Sequence, residues 1–323
     1  MDTPTGEILI GTSGWNYPTG RGTWNGIFYP ARRPRKFDEL TYYAERFDTV
    51  EVNSTFYRMP ERDLSENWLG RTPPSFQFAI KLYQKFTHPD MYLARDGVRD
   101  WDLSREDVDL FREGVDPIAE AGRLAAVLIQ FPESFHEDSD ARMYVEWLLD
   151  AFRDYPLAIE LRHKSWDASD PELAALVTDR GATRVVADEP FSEKDVGCNF
   201  RDFRKLHPTS FLYLRLHGRN RATWWQHEKS EDRYNYLYTP EELDPIADMV
   251  REAAAERRRV LLYMNNHFSA KSVANAVILK RQLGQPIPGE YPPALVETYP
   301  DLEGLVTTSA PAAPEPRKRA LPL

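Results

Sequence analysis

The chain has 323 residues, 41% hydrophobic and 12% aromatic, enough to close one large core or two ordinary ones, so length does not set the domain count. Its formal net charge of -10 argues against a general polyanion-coating protein, because a negative field repels phosphate backbones at long range. A single cysteine, Cys198, excludes an internal disulfide and a multi-cysteine metal cluster, and reads as a passive thiol in a reducing, cytoplasmic compartment.

The opening MDTPTGEILIG has no basic leader and too short an apolar run for export or membrane insertion, so no membrane association is expected. Short β-rich runs then recur: ILIGTS from Ile8, TVEVNS from Thr49, QFAIKL from Gln77 and AVLIQF from Ala126. LAIELR from Leu157, RVVADE from Arg184, FLYLRLHG from Phe211 and VLLYMNN from Val260 continue the series. Between them the pattern predicts helices over Ser104–Gly122, Asp138–Asp154, Pro171–Asp179, Thr239–Arg258 and Ser269–Leu283. Thr239, Pro240 and Glu242 form a capping box with proline at the first helical position, and Leu243, Ile246, Val250 and Ala253 repeat at helical spacing. Ser104 and Asp107 repeat the signal earlier, and Pro117 predicts a kink or break in that helix. Residues 303–323, EGLVTTSAPAAPEPRKRALPL, are rich in Pro and Ala and read as a disordered tail with Arg317, Lys318 and Arg319 solvated.

Eight alternating strand–helix units without a linker predict one α/β domain, a single (β/α)8 TIM barrel, with long βα loops over its carboxyl-terminal face. Strands buried on both faces should be continuous in Val, Ile and Leu. The departures are informative because side chains alternate faces. Glu51 and Asn53 share one face of their strand while Val50 and Val52 share the other; Glu160 and Arg162 oppose Ile159 and Leu161. Tyr213, Arg215 and His217 alternate with Leu212, Leu214 and Leu216. The same logic sends Ser13, Lys81, Gln130, Asp188 and Asn265 inward at the carboxyl ends of their strands, where barrel enzymes keep their chemistry.

At these positions the sequence resembles the YecE-like family, domain of unknown function 72. The stretches that carry the resemblance are GTSGW at Gly11, FDTVEVNSTFY at Phe47, QFP at Gln130, ELRHKSW at Glu160, YLRLHG at Tyr213 and NNHFSAKSVANA at Asn265. They cover roughly residues 7–285, leaving 286–302 as a carboxyl-terminal extension. The resemblance implies a barrel with a ligand site at the strand ends, and it supplies no agreed reaction.

Chemistry must therefore be read from the ring. Glu51, Glu160 and Asp188 face Lys81, Arg162 and Arg215, with His217 adjustable near neutral pH. A salt-bridge lattice that fills the mouth is one reading, since buried charges must be paired. The surplus amides Asn53, Gln130, Asn265 and Asn266 instead suit a polar ligand, and the cations suit an anionic one. Glu160, Glu51, His217 and Asp188 are the candidate catalytic residues, with Glu160 and Glu51 as acid and base and His217 as proton shuttle. Ser13, Trp15, Asn53, Lys81, Gln130, Arg162, Arg215, Asn265 and Asn266 are the candidate ligand-binding residues. A glycosidase is disfavoured by Gln130, because many barrel glycosidases place their acid on strand four.

No organic cofactor is implied. A divalent metal, if bound, would take Glu51, Glu160, Asp188 and His217, although Arg162 and Arg215 would repel it. His163 faces away by parity. The segment WNYPTGRGTWNGIFYPARRPRK after the first strand, and Arg219, Arg221, Trp224, Trp225, His227, Tyr234, Tyr236 and Tyr238 after the seventh, would overhang the site. They either stack on a sugar or base or pack the loops down, Trp15 and Trp24 included. Gly11 and Gly14 either approach a phosphate or serve a tight turn. The leading expectation is an enzyme of acid–base or hydrolytic type acting on a small anionic, sugar-like or nucleotide-like ligand. A metal-dependent nucleic-acid-processing or nucleic-acid-binding barrel and a non-catalytic ligand sensor are the alternatives.

Overall fold

The computed structural model describes residues 6–95, 97–167, 169–190, 209–224, 230–256 and 259–309. Eight parallel strands close into a barrel in sequence order: β1 (Ile8–Ser13), β2 (Thr49–Val52), β3 (Gln77–Lys81), β4 (Leu124–Gln130), β5 (Leu157–Glu160), β6 (Thr183–Asp188), β7 (Phe211–Leu216) and β8 (Arg259–Met264). Closure is the pairing of β1 with β8, five residues deep from Ile8 opposite Val260 to Thr12 opposite Met264. All eight strands fall on the predicted runs.

Helices wrap the outside. After β1 comes α1 (Glu39–Ala44); after β2, α2 (Ser54–Tyr57) and α3 (Arg62–Gly70); after β3, α4 (Pro89–Leu93) and α5 (Arg105–Glu120). α6 (Ser139–Ala151) and α7 (Pro171–Thr178) follow β4 and β5; α8 (Arg221–Trp224) and α9 (Pro240–Ala255) follow β7; α10 (Lys271–Gln282) follows β8, and α11 (Pro293–Thr298) lies beyond. Residues 191–208 of the connection from β6 to β7, with Cys198, are outside the described residues, as are Trp225 and His227.

Both predicted capping boxes form, Ser104 with Asp107 on α5 and Thr239 with Glu242 on α9. The break expected at Pro117 is absent, and α5 runs on to Glu120. Pro117 sits one turn from the helix end, where its missing N–H removes a single bond; it is itself buried beside Ile118, and its carbonyl accepts the Ala121 N–H at 3.1 Å.

Two cores result. Val50, Val52, Ile159, Leu212, Leu214 and Leu216 point outward and pack with the helices. Leu9, Ala79, Leu128, Ala158, Val185, Phe211, Tyr213, Leu261 and Tyr263 fill the barrel itself. Each large aliphatic chain so buried contributes roughly 1.5–3 kcal/mol.

The carboxyl-terminal extension is folded onto this body, with Tyr291, Leu295, Tyr299 and Leu302 buried. Part of the expected tail is folded too: Thr307–Thr308 pairs in parallel with Glu290–Tyr291. Its remainder, including Arg317, Lys318 and Arg319, lies outside the described residues. Among the described residues, no helix is long and apolar enough to cross a membrane.

Candidate functional site

The aliphatic filling of the barrel ends at a pair of tyrosines. The Tyr213 and Tyr263 rings lie 5.1 Å apart, and Tyr263 hydrogen-bonds Thr49 at 2.8 Å. Toward the carboxyl ends of the strands the interior then becomes charged, with Arg215 of β7 at its centre. The guanidinium donates through Nε and Nη2 to both oxygens of Glu51, at 2.9 and 2.8 Å. Its Nη1 donates to Gln130 at 2.9 Å and to Glu160 at 2.7 Å. Tyr213 adds a 2.8 Å bond to Glu51, which is fully buried. Residues from β2, β4, β5 and β7 are thus tied across the mouth by one side chain.

Arg162, two residues beyond Glu160 and on the same face, donates to Glu160 at 2.7 Å and to Glu189 at 3.3 Å. Burial would raise the Glu160 pKa, but the Arg215 and Arg162 guanidiniums outweigh it and hold this carboxyl well below its ordinary range. Glu189 is the counterpoint. Burial, aided by the Glu160 and Glu133 carboxylates, exceeds the pull of Arg162 and moves its pKa from 4.5 up to about 7.

Lys81 ends β3 on the inner face, its Nζ 4.1 Å from the centre of the Phe56 ring. Burial and the Arg215 charge outweigh Glu51 and Glu160 and bring its pKa down to about 7. Burial and the same arginines hold His217 neutral, well below its ordinary value. Asn265 donates to His217 Nδ1 at 2.7 Å, which assigns the proton to Nε2. His217 therefore presents an N–H donor and is not poised to titrate at neutral pH.

Several buried polar atoms at this end of the barrel have no partner among the described residues. They are His217 Nε2, Ser13 Oγ, whose residue pairs with Glu51 in the β1–β2 register, and Asn53 Oδ1, one residue past β2. Asn53 sits at the N-cap position of α2 yet makes no capping bond. Unpartnered buried atoms occur elsewhere in the protein, but these three belong to residues at the carboxyl ends of β1, β2 and β7.

An aromatic wall rises over that opening. Tyr17 stacks on His267 at 4.4 Å, Tyr234 lies 4.8 Å from His267 and 6.3 Å from His217, and Trp224 lies 6.2 Å from His217. Tyr17 reaches back to donate to the Ser13 carbonyl. The turn that carries His267 continues through Ser269 and Ala270, both with positive φ (55° and 63°), a backbone region L-residues seldom occupy and one that collects at functional sites.

Not every expected residue joins this constellation. Asp188 faces the other way. It pairs in register with Leu216, an outward leucine, and accepts bonds from Arg219 Nε at 2.9 Å and the Tyr238 hydroxyl at 2.7 Å, behind the barrel wall. The inward positions of β6 are Val185 and Ala187, and the acid that follows them in phase is Glu189. Asn266 is also outward, donating to the Tyr236 carbonyl at 2.8 Å and to Asn275 at 2.7 Å, where it secures the loop after β7. The contacts of Trp15 run to the helix layer, edge-on to Trp68 at 5.9 Å, and Trp24 is fully buried with its indole N–H on the His267 carbonyl at 2.7 Å. A Cβ at Gly11 would meet the Thr49 carbonyl oxygen at 2.1 Å, and Gly14 has φ +82°, so close strand packing and a turn account for both glycines.

With Asp188 behind the wall, Glu51, Glu160, Asp188 and His217 do not converge as metal ligands. Among the described residues, no three His, Cys, Asp or Glu side chains are grouped to hold an ion. His163 lies off the ring as expected, stacked on His136 at 3.8 Å and bonded to Ser165. Glu189 and His267 were not anticipated as site residues, whereas Tyr17 and Tyr234 belong to the loop segments expected to overhang the site. The alternation of Val185, Ala187 and Glu189 held the signal for Glu189, masked because Val186 is equally apolar.

Residues 9–295 match the family model described as protein of unknown function DUF72. The chain is 28% identical over 278 residues to the UPF0759 protein YunF of Bacillus subtilis (strain 168), covering 83% of this chain and 92% of that one. It is 25% identical over 186 residues to the UPF0759 protein YecE of Escherichia coli (strain K12), covering 56% and 59%. A DUF72 family protein from Thermotoga maritima superposes with a TM-score of 0.72 at 31% identity, covering 86% of this chain and 100% of that one. A DUF72 family protein from Enterococcus faecalis, 22% identical and covering 88% and 99%, superposes at 0.70 and supports the fold alone. With the family model spanning every strand of the barrel and its mouth, the chain belongs to the DUF72 (UPF0759, YecE-like) family.

Proposed function

We propose that this protein is an enzyme that performs acid–base or hydrolytic chemistry on a small anionic, sugar-like or nucleotide-like ligand at the carboxyl ends of its strands. The observation that supports this reading is a division of labour within one opening. Arg215 pairs with Glu51 and Glu160 and Arg162 pairs with Glu160, while around them Ser13 Oγ, Asn53 Oδ1 and His217 Nε2 are buried without a hydrogen-bond partner among the described residues. A purely structural lattice would satisfy its own atoms, since each unmet buried polar group costs roughly 1–3 kcal/mol. A ligand bearing hydroxyl and anionic groups repays that cost when it binds.

Roles follow from the electrostatics. Glu51 is sealed beneath Arg215 and acts by placing it; Glu160 stays ionised and would stabilise positive charge that develops on the ligand. Glu189, with a pKa of about 7, is the group that can both hold and release a proton at neutral pH and is assigned as the acid–base residue. His217 donates a fixed hydrogen bond through Nε2 and does not shuttle protons. Tyr17, Tyr234 and His267 supply faces on which a sugar ring or base would stack.

The test is a panel of sugar phosphates, sugar acids and nucleotides, scored by ligand-induced thermal shift and by mass analysis for chemical change. At least one member should be converted, and Glu189→Gln should slow conversion roughly 100- to 10,000-fold while its thermal shift survives. A ligand that stabilises the protein yet stays unaltered after long incubation would establish a sensor instead.

A further inference from the structure

Two lysines four residues apart have opposite surroundings. Lys85 is paired with Asp107 at 2.9 Å and Asp102 at 3.0 Å, and its pKa is raised. Lys81, among the described residues, makes no ion pair and no hydrogen bond through Nζ, although its pKa responds to two nearby acids, Glu51 and Glu160. Those carboxylates are spent on arginine: Glu51 on Arg215, Glu160 on Arg215 and Arg162. The groups that act on the amine are Arg215, Arg162, Glu51, Glu160 and the buried imidazole of His88, and Phe56 covers one side of it. An amine placed only to bind an anion gains from full charge; here burial and two guanidiniums favour its neutral, nucleophilic form.

We propose that Lys81 is the nucleophile of this site and condenses with an aldehyde or ketone group of the ligand to form an imine; the inference rests on the ligand-site reading above and narrows the ligand to carbonyl compounds. The Nζ lone pair forms the C–N bond as the carbonyl π electrons pass to oxygen. That oxygen takes the proton held by Glu189, and the nitrogen returns one to the carboxylate. Glu189 then protonates the oxygen a second time, water leaves as the C=N bond forms, and the remaining N–H proton returns to the Glu189 carboxylate, so amine plus carbonyl becomes imine plus water with no oxidant or reductant. Arg162 bonds both Glu160, at 2.7 Å, and Glu189, at 3.3 Å, and the charges of Arg162 and Glu160 act on Lys81 as well as on Glu189. His217 Nε2–H and Ser13 Oγ are then free to hold an adjacent hydroxyl or carboxylate.

The full chain is incubated at pH 7 with pyruvate, glycolaldehyde or dihydroxyacetone, reduced with cyanoborohydride and mapped by peptide mass. An adduct equal to the carbonyl compound less one oxygen atom is expected at Lys81, at least about tenfold above any other lysine. The neutral fraction of an amine with a pKa near 7 is on the order of a thousand times that of an ordinary lysine at this pH. Lys81→Arg should lose the adduct and keep its thermal shift with anionic ligands that carry no carbonyl. Labelling at Lys81 no greater than at other lysines, or unchanged turnover of a carbonyl ligand by Lys81→Arg, overturns the imine. Neither result touches the acid–base assignment, which the Glu189→Gln comparison decides on its own.

Discussion

Two clusters at the carboxyl ends of the strands are made from the same parts, a carboxylate, a guanidinium and a phenol, and do opposite work. Inside, Arg215 spans Glu51, Glu160 and Gln130 while Tyr213 bonds Glu51. Outside, Arg219 and Tyr238 converge on Asp188, and Tyr236 and Arg219 reach Glu242 at the start of α9. The outer cluster is closed, each named group meeting another, and it fastens the loop after β7 to β6 and α9. The inner cluster is accompanied by polar atoms that no described residue meets. Asp188 and Glu189 are neighbours in the chain, so one step in strand phase separates a fastening from a reactive group.

The contrast can be broken most directly at Arg215. Arg215→Leu strands two buried carboxylates and should destabilise the protein by about 3–5 kcal/mol at neutral pH, measured by urea unfolding. The Glu160 carboxyl is depressed in the folded state, so the stability it gains from pairing is present above its ordinary pKa and fades as pH falls through the lower folded value. The penalty of the substitution should therefore shrink in acid. A loss below about 1 kcal/mol at pH 7 would mean the inner cluster does not depend on its arginine.

Glu189 comes next. Its folded pKa is raised, so the stability associated with its protonated form is fully present below pH 4.5 and is lost as pH rises toward about 7. The loss should be on the order of 3 kcal/mol and level off above that window. Glu189→Gln should flatten this part of the stability profile, and an unchanged slope would place the titration elsewhere.

Asp188→Asn should cost about 1–2 kcal/mol by weakening its bonds to Arg219 and Tyr238, and should leave ligand-induced thermal shifts as they were. Equal loss of those shifts in Asp188→Asn and Glu189→Gln would erase the distinction between the two faces. The smallest effect on stability is expected at Asn53, whose Oδ1 is unpaired: Asn53→Ala should change unfolding by less than about 0.5 kcal/mol while diminishing ligand stabilisation.

The sequence by itself determined the barrel, the eight strands and most of the ring. Local alternation reports directly on a strand wherever its two faces differ in polarity, as in Glu51 against Val50 and Val52, or Arg215 against Leu214 and Leu216. On β6, where Val185, Val186 and Ala187 leave both faces apolar, alternation carries no mark of phase, and only the pairing of Ala187 with Arg215 and Asp188 with Leu216 decides which acid enters the mouth. Tertiary structure alone also decided the charge states. Whether a lysine is paired like Lys85 or bare like Lys81 depends on where the arginines of distant strands spend their carboxylates, and the Coulomb energy that sets this runs across the barrel, between residues far apart in the chain.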